Sequence, residues 1–196
     1  VSLDNLKRFF RYFIARLGSY PSIFLVTQEY NADAGDRPSR ATKIYALCEY
    51  IKQTDPYNRA LTLHMWPGAV PDTCWDKPWH DYIMLQSGHW INQNPSYYWR
   101  FYSREKIQPI LEAETNYEGF DKMKAKPREE WKWFKRDSFI CNEDIIRQSA
   151  YTAIQSGSFG FGYGAQGLYG GDYGNSPHTI AWGPRYYWWD AIYMKG

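Results

Sequence analysis

Two hydrophobic patterns alternate along the chain. From residue 1 to residue 17, apolar side chains recur every three or four positions with basic side chains between them, which predicts an amphipathic helix. Ser2 is placed to cap this helix and Gly18 to end it. The second pattern is a short continuous apolar run, first seen at residues 22–29. Such runs are typical of parallel strands that helices cover on their outer side.

The alternation of these two patterns continues to the end of the chain. Strands are predicted at residues 22–29, 60–66, 82–89, 107–114 and 158–163, and further helices at about residues 41–51, 94–105, 142–155 and 184–193. Strands that alternate with helices in this way predict parallel βαβ units. The chain is therefore expected to have an α/β fold.

Side chains that could take part in catalysis or binding lie at the carboxyl ends of the predicted strands. The stretch at residues 107–119 is the richest, because a short apolar run there ends in three carboxylates. In parallel α/β proteins the carboxyl ends of the strands line the binding cleft, although a solvated acidic turn is the alternative interpretation. The candidate site residues at the strand ends and just beyond them are Glu29, Asn31, His64, Trp66, Gln86, His89, Glu112, Glu114, Tyr117 and Glu118.

A doubly wound sheet and a (β/α)8 TIM barrel both fit the alternation. Two observations favour the barrel: candidate residues occur at all the strand ends rather than at one switch point, and no nucleotide-binding fingerprint follows any strand. A full barrel needs about 250 residues and about eight strands. We therefore predict that residues 1–196 are the C-terminal part of a single catalytic domain, from its fourth strand to its eighth. An upstream segment or a second chain would supply the first three strand–helix units.

Composition narrows the class of ligand. The chain has 23 Lys and Arg against 21 Asp and Glu, which argues against general nucleic-acid binding. Its aromatic content is 19%, with 10 Trp and 18 Tyr, and exposed aromatic rings beside carboxylates suit the flat C–H faces and hydroxyl rims of sugars. Trp66, Trp90 and Trp182 are candidate stacking platforms. Packing in a core or at an interface is the alternative interpretation for each of them.

The cysteines and histidines give weaker signals. Cys48, Cys74 and Cys141 have no C-x-x-C spacing and predict neither a disulfide framework nor a zinc site. His64 and His89 beside Glu114 leave a metal-dependent hydrolase as an alternative, although the chain has no His-x-His or His-x-x-x-His pair. No cofactor is predicted, and no apolar run approaches the ~20 residues of a membrane span.

Four parts of the chain carry motifs of one known family. Residues 82–89 end in Met-Leu-Gln-Ser-Gly-His, and residues 109–119 read Pro-Ile-Leu-Glu-Ala-Glu-Thr-Asn-Tyr-Glu-Gly. Residues 146–164 contain Arg-Gln-Ser-Ala-Tyr, Ser-Gly and Tyr-Gly, and residues 25–31 form the fourth part. These parts resemble, in this order, two signatures, the Arg-x-x-Ala-Tyr helix with its following strand, and the fourth strand of the apiosidase-like glycoside hydrolases, a family of (β/α)8 barrels.

This resemblance implies a glycoside hydrolase that acts on a plant or microbial polysaccharide or oligosaccharide with two carboxyl groups. Glu29 would be the acid/base and Glu114 the nucleophile of a retaining mechanism. Glu112 is the alternate nucleophile, because residues two apart on a strand point the same way. Glu118 would orient a sugar hydroxyl or Arg147. An extracellular or periplasmic location is also implied.

Two departures from the family bear on the substrate. Thr27-Gln28 stands where the family commonly has Gly-Gly, and residues 63–68 differ from its usual Tyr-His-Pro, so the sugar and the linkage are open. Arg147 and Trp182 complete the predicted substrate contacts. A non-catalytic carbohydrate-binding or scaffold protein on a degenerate barrel is the alternative function.

Overall fold

The computed structural model describes residues 1–31, 37–66, 73–89, 94–120, 140–168 and 186–196. Its α-helices are α1 (Leu3–Leu17), α2 (Arg37–Thr54), α3 (Pro95–Tyr102), α4 (Glu143–Gln155) and α5 (Trp188–Ala191), and a 3-10 helix covers Thr73–Asp76. Its strands are β1 (Phe24–Leu25), β2 (Leu61–Thr62), β3 (Ile83–Gln86), β4 (Ile110–Glu114) and β5 (Gly160–Phe161). Within the described part of the chain, none of the helices combines the length and apolar character that a membrane span requires.

The helix starts follow the capping signals of the sequence. Ser2 Oγ accepts the N–H of Asn5 at 3.3 Å and begins α1, as predicted. Asn142 Oδ1 accepts the N–H of Ile145 at 3.1 Å and begins α4. These side chains satisfy N–H groups that have no partner within the first helical turn.

The chain divides into two compact units. The first comprises residues 1–86 and 105–110, and the second comprises residues 87–104 and 111–196. The single catalytic domain over residues 1–196 stays a prediction.

The first unit contains a run of parallel strand pairings. In β1 and β2, Phe24 pairs with Leu61 in parallel register. A parallel bridge joins His64 to Met84 in β3, and the N–H of Ile83 donates to the carbonyl of Pro109 at 2.8 Å. Strands that follow one another along the chain are thus neighbours in space, as crossover helices require. The fully buried apolar residues of this unit include Cys48, Ile51, Leu61, Leu63 and Ile83.

A buried polar network joins the segments that lead into β3 and β4. Thr62 Oγ1 donates to the carbonyl of Tyr82 at 2.6 Å, so it accepts from His80 Nε2 at 3.2 Å. His80 Nδ1 then accepts from Gln108 Nε2 at 3.1 Å, and Lys106 Nζ donates to the carbonyl of His80 at 2.9 Å. Because buried polar groups are costly when unpaired, this network holds the strand entrances in place.

The second unit contains the parallel pair of β4 and β5. Leu111 pairs with Gly160, and a parallel bridge continues the pairing from Glu118 to Ala165. A Cβ atom at Gly160 would lie 2.8 Å from Leu111 Cδ1, and one at Gly162 would collide with the carbonyl of Ala113. The prediction that glycines allow close backbone packing here is confirmed.

Candidate active site

Glu29 lies beyond the carboxyl end of β1, in the first unit. Its backbone has a positive φ of 40°, which is uncommon for a residue with a side chain. Glu29 Oε1 accepts a hydrogen bond from Nε2 of Gln86 at 2.9 Å, and Gln86 is the last residue of β3. Two predicted site residues from different strand ends are therefore in contact.

A second contact in the same unit joins Asn31 to the segment after β2. The N–H of Trp66 donates to Asn31 Oδ1 at 2.8 Å, which leaves the indole of Trp66 outside this hydrogen bond, and Trp66 is 41% exposed. His64 is only 3% exposed, and its backbone N–H donates to the carbonyl of Thr27 at 3.1 Å. The structure thus places His64 in the interior, while Trp66 offers an accessible ring.

Glu114 is the last residue of β4 and contacts His89 within the second unit. Glu114 Oε1 lies 3.2 Å from His89 Nε2, and both side chains are mostly buried. His89 Nδ1 lies 2.7 Å from the carbonyl oxygen of Thr115. The imidazole also packs on Tyr117, with ring centroids 4.4 Å apart. Three predicted site residues, Glu114, His89 and Tyr117, therefore form one cluster.

The contact with Thr115 fixes which ring nitrogen of His89 donates. A carbonyl oxygen only accepts, so Nδ1 carries a proton and donates to Thr115. Nε2 then faces the Glu114 carboxyl group, with 3.2 Å between Nε2 and Oε1.

Glu112 has a different environment from Glu114, although both lie on the same strand. It is 0% exposed, and the substrate contact predicted for it stays a prediction. Its Oε1 accepts the N–H of Ser87 at 3.3 Å and its Oε2 accepts the hydroxyl of Tyr98 at 3.0 Å. Burial raises the pKa of Glu112 to about 7, against the hydrogen bonds from Ser87 and Tyr98, which lower it.

Glu118 and Arg147 do not form the predicted contact with each other. The Glu118 carboxylate accepts the hydroxyl of Tyr163 at 2.7 Å and the N–H groups of Lys195 and Gly196 at 3.2 and 2.9 Å. Arg147 Nη2 donates to the carbonyl of Lys195 at 2.8 Å. Both charged groups thus hold the segment at residues 195–196, and Glu118 is only 6% exposed. A contact of Glu118 with a sugar hydroxyl stays a prediction.

Three residues that contact these carboxyl groups were not predicted from the sequence. Tyr98 and Ser87 bind Glu112, and Tyr163 binds Glu118, but each contact joins residues far apart along the chain. Helical spacing predicts that Tyr98 lies on the buried face of its helix, but it does not predict which carboxyl group accepts its hydroxyl. Trp90 and Trp182 lie outside the described residues.

Comparison with known proteins decides the family. The model of the apiosidase-like catalytic domain matches residues 1–196. The chain belongs to the apiosidase-like family. No curated protein sequence matches the chain.

Solved glycoside hydrolases share the fold of this apiosidase-like chain. One, titled "Glycoside hydrolase", is 19% identical with a TM-score of 0.70, and the match covers 99% of this chain and 44% of that one. Another, a glycoside hydrolase family 5 protein from Bacteroides vulgatus ATCC 8482, is 23% identical with a TM-score of 0.69 over 99% of this chain and 42% of that one. The apiosidase-like chain therefore spans less than half the length of either structure and shares their α/β fold with parallel strands.

The described residues contain no group of three or more His, Cys, Asp or Glu side chains that could hold a metal ion. Cys48, Cys74 and Cys141 are buried free thiols, and burial raises the pKa of Cys48.

We expect Glu112→Gln to stabilise the apiosidase-like protein at pH 8 and to change little at pH 5. The pKa of Glu112 rises from 4.5 to about 7 on folding, so its contribution to stability is complete below pH 4.5 and is lost as the pH rises through 7. The loss is at most about 3 kcal/mol. Gln has the same shape and does not ionise. The measurement is the free energy of unfolding in urea at pH 5, 6, 7 and 8.

The matched control is Glu105→Gln, because Glu105 is exposed. Its difference in stability from the wild type should not change between pH 5 and pH 8. A difference between Glu112→Gln and the wild type that is constant across this range would contradict the raised pKa of Glu112.

Proposed function

We propose that this protein is a glycosidase that hydrolyses a glycosidic bond of a plant or microbial carbohydrate with Glu29 and Glu114. The observation that carries the proposal is the His89–Glu114 pair at the carboxyl end of β4, with 3.2 Å between Nε2 and Oε1. In parallel α/β enzymes such positions face the binding cleft. Membership of the apiosidase-like family supports the same reaction class.

Glu114 is assigned as the nucleophile. A nucleophilic carboxylate must be ionised, and His89 Nε2 lies 3.2 Å from Glu114 Oε1, where a protonated imidazole stabilises that form. The imidazole is in turn held by Thr115. In the first step Glu114 attacks the anomeric carbon while the bond from that carbon to the leaving oxygen breaks.

Glu29 is assigned as the acid/base. Its Oε1 accepts a hydrogen bond from Nε2 of Gln86, which holds the carboxyl group near the end of β3. A general acid has to carry a proton and then release it to the leaving oxygen. In the second step the same group takes a proton from the water that attacks the anomeric carbon, and the bond between that carbon and Glu114 breaks to release Glu114 as a carboxylate. Its positive φ of 40° supports the role, because strained backbone is concentrated at active sites.

A retaining mechanism makes a geometric demand on this pair. The two carboxyl groups should lie about 5 Å apart in a retaining enzyme, and about 6.5–9.5 Å apart in an inverting one. The exposed ring of Trp66 is proposed to stack on a sugar of the substrate, near Asn31.

The parallel strands are proposed to belong to an eight-stranded barrel that further strand–helix units complete, from an upstream segment or a second chain. Among the described residues β1 pairs with β2 alone. Phe9 and Tyr12 on α1 are 57% and 62% exposed, and Leu25 in β1 is 38% exposed. Exposed apolar side chains beside an open strand edge support a covering element, since such edges otherwise promote aggregation.

The test is turnover on a panel of aryl glycosides and plant polysaccharides, with proton NMR of the first product anomer. We expect release of reducing sugar and retention of configuration. Sugar binding by calorimetry without turnover would instead favour a non-catalytic carbohydrate-binding protein. Activity that a chelator removes and added metal restores would favour a metal-dependent hydrolase.

A further inference from the structure

Glu112 is a buried carboxyl group that has no part in the proposed chemistry. It is 0% exposed and lies in the middle of β4, where its strand neighbour in β5 is Phe161. Burying a carboxyl group costs free energy that an apolar side chain of similar size would not cost. Departures of this kind from an apolar interior are expected at functional sites.

The contacts of Glu112 lie on the two backbone segments that carry His89 and Glu114. Oε1 accepts the N–H of Ser87 at 3.3 Å, and Ser87 is two residues before His89. The backbone N–H of Glu114 also interacts favourably with the ionised form of the Glu112 carboxyl group. The N–H of Gly88 donates to the carbonyl of Glu114 at 3.2 Å, so the two segments are joined directly as well.

A third contact anchors the carboxyl group to α3. The hydroxyl of Tyr98 donates to Oε2 at 3.0 Å, and Tyr98 is fully buried. Burial and the adjacent Glu112 raise the pKa of Tyr98, so its hydroxyl stays protonated and remains a donor. The titratable groups that face Glu112 are Tyr98 and Tyr97 of α3, and the described residues that contact it include no cation.

We propose that Glu112 is a positioning residue for the His89–Glu114 pair: its carboxyl group fixes the backbone on both sides and so sets the separation of the imidazole from the nucleophile. The expected effect on catalysis rests on the proposed function. The placement of His89 rests on geometry alone. A misplacement of reacting groups by about 1 Å can lower a rate about 100-fold. A slower chemical step with unchanged substrate binding is the expected signature.

The experiment compares Glu112→Gln and Tyr98→Phe with the wild type and with the surface control Glu105→Gln. The readouts are kcat and KM on the best aryl glycoside of the panel, and ¹⁵N NMR of histidine-labelled protein. We expect kcat to fall about tenfold in Glu112→Gln and about threefold in Tyr98→Phe, with KM within about twofold. We also expect the Nε2 resonance of His89 to shift in both variants and not in Glu105→Gln.

Two outcomes would overturn the inference. One is a folded Glu112→Gln protein with wild-type kcat and an unshifted His89 resonance. The other is a loss of activity in both variants that matches only the fraction of unfolded protein. Failure of the proposed function is separate: if the wild type hydrolyses none of the substrates, the His89 resonance still decides whether Glu112 positions the imidazole.

Discussion

Glu114→Gly is expected to lower kcat by at least about 10³-fold, or ~4 kcal/mol of transition-state stabilisation. The variant removes the carboxylate that bonds to the anomeric carbon, while His89 keeps its hydrogen bond to Thr115. The measurement is turnover of an activated aryl glycoside with and without azide. Azide is small enough to occupy the space left by the side chain, so we expect partial recovery of activity and a glycosyl azide of inverted configuration.

The control for this substitution is Glu105→Gly, which removes an exposed carboxylate and should leave turnover unchanged. Full activity of the Glu114→Gly protein would end the assignment of Glu114. A glycosyl azide of inverted configuration from a Glu29 variant instead would exchange the roles of the two acids.

Glu29→Ala is expected to show a loss that depends on the leaving group. Substrates with poor leaving groups should lose about 10²–10⁴-fold in kcat/KM, because their departing oxygen needs a proton. Dinitrophenyl glycosides should lose far less in the first step, since their leaving group departs as a stable anion. The measurement is kcat/KM across a series of aryl glycosides of graded leaving-group acidity.

Gln28→Ala serves as the matched control, because Gln28 precedes Glu29 and is exposed. Its activity should fall equally little for all leaving groups. A uniform loss across the series in Glu29→Ala would mean that Glu29 holds the substrate and does not donate a proton.

Parallel pairing could be predicted from the sequence because continuous apolar runs report burial on both faces of a strand. A continuous apolar run does not predict at which residues the hydrogen bonds between strands begin and end. The run at residues 22–29 predicts a strand of that length, whereas β1 covers Phe24–Leu25. Backbone hydrogen bonds from Val26 to Thr62 and from His64 to Thr27 continue the pairing past β1, and Glu29 then adopts a positive φ.

The sequence could predict which residues lie at the strand ends, but it could not predict which of them are buried or what they contact. Because Glu112 and Glu114 share a strand face, the pattern could not tell which one is buried. The difference comes from Ser87 and Tyr98, whose contacts with Glu112 depend on tertiary packing. The placement of Glu118 beside residues 195–196 has the same origin, since those residues are 77 and 78 positions away.

At Glu29, folding stability and the proposed catalytic role favour different residues. A glycine would occupy a positive φ of 40° without the steric cost that a side chain bears there. Loss of the carboxyl group would therefore relax the turn after β1 while ending its proposed chemistry. A redesign that scores folding stability alone would therefore favour glycine at this position and remove the proposed acid.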